Sequence, residues 1–270
     1  MVRTLSGFAE SSRPTGTEAD TAHSVVTGAG SGIGAATALR LASRGPVSLL
    51  DRDPDGLAAT ERAVASAGGR PTTHLVDVTD EVGVRAALAE AEDATGPIDR
   101  LAHCAGTLVT GPVVEATAAD WATALTVNLT GAFVVMTTAV RRMVERRAGS
   151  IVVVGSNAGN GPRTGLGVYG ASKAAVHNLA LTLALETAVA GVRINVVAPG
   201  STDTPMQEAF GGLDAAESAI VGDLGRHRLG IPLGRMAAPD DVAATIEFLL
   251  SSAARHITAQ VLTVDGGATV

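Results

Sequence analysis

A single cysteine, Cys104, is all the thiol chemistry that this chain of 270 residues carries. That excludes an intrachain disulfide framework and a cysteine-cluster metal site, so no metal is expected, and it suits a reducing cytoplasm. Aromatic side chains are nearly as scarce: one Trp, one Tyr and four Phe make up 2% of the residues. The core must therefore be packed by Val, Leu, Ile and Ala. No block of Lys or Arg is present and the net charge is −7, which argues against the charge-driven attraction to phosphate backbones that nucleic-acid binding uses. Nor does any uninterrupted apolar run approach the length of a bilayer span; even Leu179 to Leu185 is ended by Glu186. Arg3 stands without an apolar stretch behind it, unlike the start of a signal peptide. A soluble, cytoplasmic protein is predicted, with neither nucleic acid nor membrane as partner.

What is present is ordinary globular material, 46% hydrophobic and 17% charged, in a length that fits one α/β domain. Residues 1–22 mix Ser, Thr, Gly, Glu and Arg without periodicity and read as a flexible extension. From residue 23 the pattern alternates. Strands are predicted near 23–27, 47–51, 72–77, 100–103, 150–155, 193–198 and 260–264, and helices near 32–44, 54–67, 81–95, 118–146, 168–190 and 239–251. Such alternation builds a single doubly wound, Rossmann-type α/β domain over 23–270, a seven-stranded parallel sheet with helices on both faces. Residues 201–238 break the rhythm after a strand's C-terminal end, where open sheets bind ligands, and are expected to form a substrate lid.

Glycines follow the first predicted strand and open the first helix, in Gly28, Gly30, Ser31, Gly32, Ile33 and Gly34. Glycine there permits a tight turn and lets a pyrophosphate reach the positive end of a helix. Asp51 ends the second strand, where a carboxylate can accept from both adenosine-ribose hydroxyls and repel a 2′-phosphate. NAD is therefore expected over NADP, although the neighbouring Arg52 is a cation that could serve such a phosphate. Asp77 and Val78, after the third strand, could bound the adenine, or Asp77 could simply belong to a helix cap beside Thr79 and Asp80. Ala105 and Gly106 allow close approach to the cofactor, or only a tight turn.

Ser156 closes the apolar run from Ser150 to Gly155, and Tyr169 and Lys173 follow, four residues apart on one helix face. A free phenol has a pKa of about 10, so a base built on Tyr169 needs neighbouring positive charge, and Lys173 is the local source. Ser156, Tyr169 and Lys173 together could grip one carbinol or carbonyl oxygen.

With these residues in place, the chain over about 23–267 resembles the short-chain dehydrogenase/reductase family. Thr27 to Gly34 is similar to that family's glycine turn, Asn128, Ser156, Tyr169 and Lys173 to its catalytic four, and Pro199, Gly200, Thr202 and Thr204 to its nicotinamide-side loop. The resemblance implies that Asn128 kinks the long helix and holds a water near Lys173, that Tyr169 and Lys173 also touch the cofactor, and that the chain is a homotetramer. One departure stands out: the family's Asn-Asn-Ala-Gly reads His103-Cys104-Ala105-Gly106 here, and His103 could supply a hydrogen bond like the lost Asn.

A narrower likeness, carried by Pro199 to Gln207, Leu229 to Arg235 and His256 to Gln260, points to the branch of the family that oxidises ring carbinols of dihydroxy-cyclohexadiene carboxylates in siderophore or secondary-metabolite synthesis. The expected reaction is NAD-dependent oxidation followed by aromatisation. The amino analogue, giving 3-hydroxyanthranilate, stays open, as do a 3-oxoacyl thioester reductase and a catalytically silent NAD-binding regulator. A ring carboxylate calls for a guanidinium, and Arg163, in the loop before Tyr169, is the first candidate, with Arg228 in the expected lid the second. Ser156 and Met206 complete the expected substrate contacts.

Overall fold

Short apolar runs, Val25-Val26, Leu49-Leu50, Leu101-Ala102, Ile151 to Val154 and Val196 to Ala198, put apolar side chains on both faces of the central strands, as a parallel sheet covered on both sides requires. In the computed structural model, which describes residues 21–208 and 212–269, the first strands are β1 His23–Thr27, β2 Val47–Asp51, β3 Pro71–Leu75, β4 Ile98–His103, β5 Gly149–Val154 and β6 Val192–Pro199. A small hairpin, β7 Gly222–Asp223 and β8 Arg228–Leu229, precedes the last strand, β9 Val261–Val264. Most of the expected N-terminal extension, 1–20, and residues 209–211 of the expected lid lie outside the described residues.

The seven long strands make one parallel sheet in the order β3-β2-β1-β4-β5-β6-β9. The order in which strands are added reverses between β1 and β4, so a crevice opens at their C-terminal ends, the usual ligand position in doubly wound folds. Side chains alternate between the two faces with the period of a strand. Val25, Leu50, Leu101, Ile151, Val153, Ile194 and Val196 join one core, while Val26, Leu49, Ala102, Val152, Val154 and Val197 join the other. Each such Val, Leu or Ile side chain contributes about 1.5–3 kcal/mol on burial, so many aliphatics do the work of the large aromatics in which the chain is poor.

The helices are α1 Gly32–Ala42, α2 Pro54–Ser66, α3 Glu81–Thr95, α4 Ala118–Ala124, α5 Ala132–Arg146, α6 Gly167–Thr187, α7 Pro205–Glu208, α8 Gly212–Val221 and α9 Pro239–Leu250. Their starts are written in local chemistry. Asp53 caps α2 with Pro54 at its first position, Asp80 accepts from Val82 and Gly83 at α3, and Thr117 and Asp120 form a reciprocal capping box at α4. Arg40 of α1 reaches Asp240 at 2.6 Å and Glu247 at 3.1 Å, which ties α1 to α9.

Three expectations are corrected. The third strand stops at Leu75, because after it only the Val76 N–H follows the ladder, to Asp51 O at 2.9 Å, so Asp77 stands beyond the sheet and not at a strand end. The helix expected over 118–146 is not one α-helix: Leu125–Gly131 is a π-helical segment between α4 and α5, a widening that carries Asn128. That whole stretch is long and apolar enough to cross a membrane by length and composition, a property that a search for uninterrupted runs passes over; in the fold α5 is a core helix on α3, α6, β4 and β5.

The excursion after β6 closes on itself at its root. Thr202 and Ala237 form a bridge, with the Asp203 N–H donating to Ala237 O and the Ala237 N–H to Ser201 O. Farther out, Ala219 and Ile231 share a small apolar cluster with Ala268.

Candidate active site

The crevice holds a cavity of about 300 Å³ whose wall brings together every site residue expected from the sequence except Gly30 and Asn128, which stand immediately behind it. At its nucleotide end the glycine turn is sterically obligatory. Gly28 has φ +67, and a Cβ there would stand 2.7 Å from Ala105 N; one on Gly34 would fall 1.9 Å from Gly28 O. Gly32, at φ +51, faces Thr204 across the cavity mouth, 3.1 Å from the place of a Cβ. Ser31 precedes α1 in extended conformation and makes no side-chain cap, so the first N–H groups of α1 and the Ser31 hydroxyl are left toward the cavity. A pyrophosphate fits this cradle on chemistry and on space.

Asp51 is pinned over the turn, its Oδ2 accepting from the Gly30 N–H at 2.8 Å and its Oδ1 from the Asp53 N–H at 3.0 Å. Both oxygens keep lone pairs for a ribose. Arg52 reaches across to Asp77 at 3.6 Å. The Asp77 carboxyl is held below its usual range first by the Thr79 N–H, then by the Thr79 hydroxyl and Arg52. The N-cap of α3 is Asp80, so Asp77 and Val78 are free to line the cavity instead.

At the other end, Ser156, Tyr169 and Lys173 are all buried and converge. The Ser156 hydroxyl accepts from the Ala158 N–H at 3.1 Å and lies close enough to the Tyr169 phenol to act on it. Lys173 Nζ lies 5.8 Å from the Tyr169 ring centre and donates to Val154 O at 2.9 Å. Burial pushes the phenol up, and Ser156 opposes it; burial pushes the ammonium down to about 8, with the Cys104 thiol opposing. The direction at Tyr169 is thus opposite to the one expected from a lysine four residues away. In a dry site each charge alone is penalised, and only the phenolate–ammonium pair offsets the cost of both.

Lys173 is the only lysine of the chain, every other member of the 20 Lys and Arg side chains being arginine. That signal in the sequence singles it out. Asn128 is 2% exposed and fully engaged: its Oδ1 accepts from the Thr107 N–H at 2.7 Å, and its Nδ2 donates to Thr107 O and to Ser172 Oγ, both at 3.0 Å. A Cβ on Gly106 would stand 3.1 Å from that Oδ1 and 3.3 Å from Lys173 Nζ, so the three meet around one glycine. His103 does bind where an Asn is usual, with Nδ1 2.8 Å from Thr27 Oγ1, and joins β4 to β1. Burial, then Lys173, pushes it down to about 3.

The loop before α6 carries Arg163 into the cavity wall with Ser156 and Tyr169. Its guanidinium donates to Asn157 Oδ1 at 2.7 Å, and Asn157 Nδ2 donates to Asp265 Oδ2 at 3.1 Å. Burial lowers the Arg163 pKa and Asp265 raises it. Arg228, from β8, donates to Ser201 Oγ at 2.9 Å and lines the same wall, as do Met206, Pro199, Gly200, Thr202 and Thr204. Asn157 and Asp265 escape sequence reasoning because 108 positions separate them; His177, whose Nε2 meets the Ser156 amide, escapes because it looks like any helix residue.

The family described as enoyl-(acyl carrier protein) reductase is matched over residues 28–269. The 2,3-dihydro-2,3-dihydroxybenzoate dehydrogenase of Escherichia coli K12 is 41% identical over 247 residues, 91% of this chain and 96% of that one. Its counterpart from Bacillus subtilis 168 is 39% identical over 247 residues, 91% of this chain and 95% of that one. Among solved structures, a short-chain type dehydrogenase/reductase from Mycobacterium ulcerans superposes with a TM-score of 0.83 at 31% identity, covering 92% of this chain and 89% of that one.

Proposed function

The chain belongs to the short-chain dehydrogenase/reductase family and is a dehydrogenase with a nicotinamide cofactor, and on that premise we propose that it oxidises one ring carbinol of a dihydroxy-cyclohexadiene carboxylate, of the 2,3-dihydro-2,3-dihydroxybenzoate type, with NAD. The observation that carries the substrate class is Arg163, a guanidinium in the wall of the cavity that Ser156 and Tyr169 share. A planar carboxylate on the ring would pair with it and orient the neighbouring carbinol toward Tyr169. The E. coli and B. subtilis relatives, named for such a ring acid, support the same class.

In this reading Ser156 donates a hydrogen bond to the reacting oxygen and Tyr169 takes the hydroxyl proton. Lys173 balances the resulting phenolate charge and binds the nicotinamide ribose, with Asn128 fixing the helix beneath. When bound, NAD accepts the hydride from the carbinol carbon. Residues Gly28 to Gly34 hold its pyrophosphate, Asp51 its adenosine ribose, Asp77 and Val78 its adenine, and Pro199 to Thr204 its nicotinamide side. Aromatisation of the dienone product pulls the oxidation forward and asks little of the protein. The 201–238 excursion, rooted at Thr202 and Ala237, serves as the lid. The reading includes a homotetramer, supported by apolar side chains exposed on α4, α5 and α6 at Trp121, Phe133 and Leu185 and open to a sedimentation test.

A turnover screen tests the proposal: the purified protein with NAD and with NADP against the dihydroxy ring acid, its amino-hydroxy analogue and a saturated hydroxy ring acid. The dihydroxy acid with NAD should give the highest kcat/KM. A higher value for the amino-hydroxy acid, or for the saturated hydroxy ring acid, overturns the substrate assignment.

A further inference from the structure

The proposed chemistry leaves one buried base of the site without a task. His177 lies on α6 one turn beyond Lys173 and is 6% exposed. Its ring occupies a slot between two glycines: a Cβ on Gly155 would stand 2.1 Å from Nε2, and one on Gly159 2.7 Å from Cε1. Nε2 is 3.3 Å from the backbone nitrogen of Ser156. A backbone amide can only donate, so Nε2 holds the lone pair, Nδ1 holds the proton, and the imidazole is neutral. Burial and then Lys173 push its pKa down to about 4, in keeping with that state.

The position of this bond matters because the sheet ends there. The Gly155 N–H still finds Val197 O at 2.7 Å, but Ser156 is the next residue and its amide takes the imidazole instead of a strand. The Ser156 side chain then turns to the Ala158 N–H and to Tyr169. We infer that His177 is a positioning residue for the dehydrogenase reaction, its Nε2 fixing the Ser156 backbone and thereby the hydroxyl that meets Tyr169 and the reacting oxygen. The inference rests on the reading of Tyr169 as the base. It also explains why glycine stands at both 155 and 159: any side chain at either position would expel the ring.

The groups around this unit are few. Tyr169 is faced by Ser156 from the end of β5 and by Lys173 from α6; Lys173 is felt by His103 and Cys104 at the end of β4 and by His177. Among them, Ser156 is the group that opposes the upward push of burial on the phenol, so displacing Ser156 should raise the pKa of the base.

The test uses NAD and 2,3-dihydro-2,3-dihydroxybenzoate with His177→Leu, which keeps bulk and loses the acceptor, and His177→Gln, whose amide oxygen can take the place of Nε2. His177→Leu should lower kcat about ten- to a hundredfold, the scale of a small misplacement in a reacting constellation. Its NADH affinity should stay within about twofold, as no cofactor contact of the site is removed. The apparent pKa of the base in the kcat profile should rise, and His177→Gln should restore both kcat and profile. In a Ser156→Ala background His177→Leu should cost little further. If His177→Leu fails to fold, His177→Asn takes its place: its oxygen ends near Nδ1, short of the amide, and the same contrast with His177→Gln is expected. Unchanged kcat in His177→Leu, an unmoved pH profile, or an equal loss in the Ser156→Ala background overturns the inference. Tyr169→Phe separates the two levels, since retained turnover there removes the base itself, whereas a dead Tyr169→Phe beside an unaffected His177→Leu removes only the role of His177.

Discussion

At the nucleotide end, the cavity wall is backbone: Gly28, Gly32 and Gly34 leave room because no Cβ is present, and Asp51 is pinned by two amide N–H groups. At the substrate end it is side chain: Arg163 leans on Asn157, Asn157 on Asp265, Tyr169 on Ser156 and Ser156 on His177. A wall of backbone binds what is common to all dinucleotides, and it fails sterically when altered. A wall of linked side chains can distinguish one substrate from another, and it fails chemically. The first is marked in the chain by one short glycine run and a strand-end carboxylate, the second by side chains joined across as many as 108 positions.

The sharpest break of the substrate end is Tyr169→Phe. It removes the proposed proton acceptor but keeps the ring, so kcat should fall by about 10²–10⁴ while NADH affinity, read by fluorescence titration, is preserved. The counterpart at the nucleotide end is Gly34→Ala. With a Cβ placed 1.9 Å from Gly28 O, the turn must shift, and denaturant unfolding should show a loss of about 3 kcal/mol together with weakened NADH binding. Arg163→Leu should raise KM for the ring acid one to three decades, about 1.5–4 kcal/mol for a lost charge-assisted pair, and leave an uncharged cyclic alcohol nearly untouched. Equal losses for both substrates would mean that Arg163 shapes the loop. Asp51→Ala should narrow the preference for NAD over NADP about tenfold, the worth of one charge-assisted hydrogen bond, with the change carried by cofactor KM.

The smallest effect concerns acid. His103 and His177 are neutral in the fold down to about 3 and about 4, whereas in the unfolded chain they take protons near 6.5. The unfolded state therefore binds more protons below pH 6.5, and stability that is fully present above it is lost as pH falls. Each histidine should cost about 1 kcal/mol one unit below its unfolded pKa, and His103→Asn should flatten that part of the stability–pH curve.

The difference between the two ends also explains how much the sequence discloses. Gly28 to Gly34 and Asp51 are legible because turn, helix start and strand end are local constraints. Tyr169 and Lys173 are legible for the same reason, sharing a face four residues apart. The π-helical segment at Asn128 is not written in periodicity, since apolar spacing there suits an unbroken α-helix; what widens it is the pull of Thr107 and Ser172 on the Asn128 amide. The early end of β3 is equally hidden, because Val76 and Val78 are as apolar as strand residues and are buried in the same core as the strands. The upward push on Tyr169 depends on how dry the site is, which only the packed fold determines.

The solitary lysine has a consequence for handling the protein. Lys173 is 4% exposed, so the outer face of the fold offers cations only as guanidinium groups and no side-chain amine. Acylating and reductive-alkylating reagents meet a single side-chain target, and it sits at the bottom of the cavity. Because its pKa is pulled to about 8, about a tenth of that amine is uncharged and nucleophilic at pH 7, far more than for an ordinary lysine. Labelling at this one position, followed by mass, is thus a direct gauge of how often the cavity admits a reagent, and of how firmly a bound cofactor closes it.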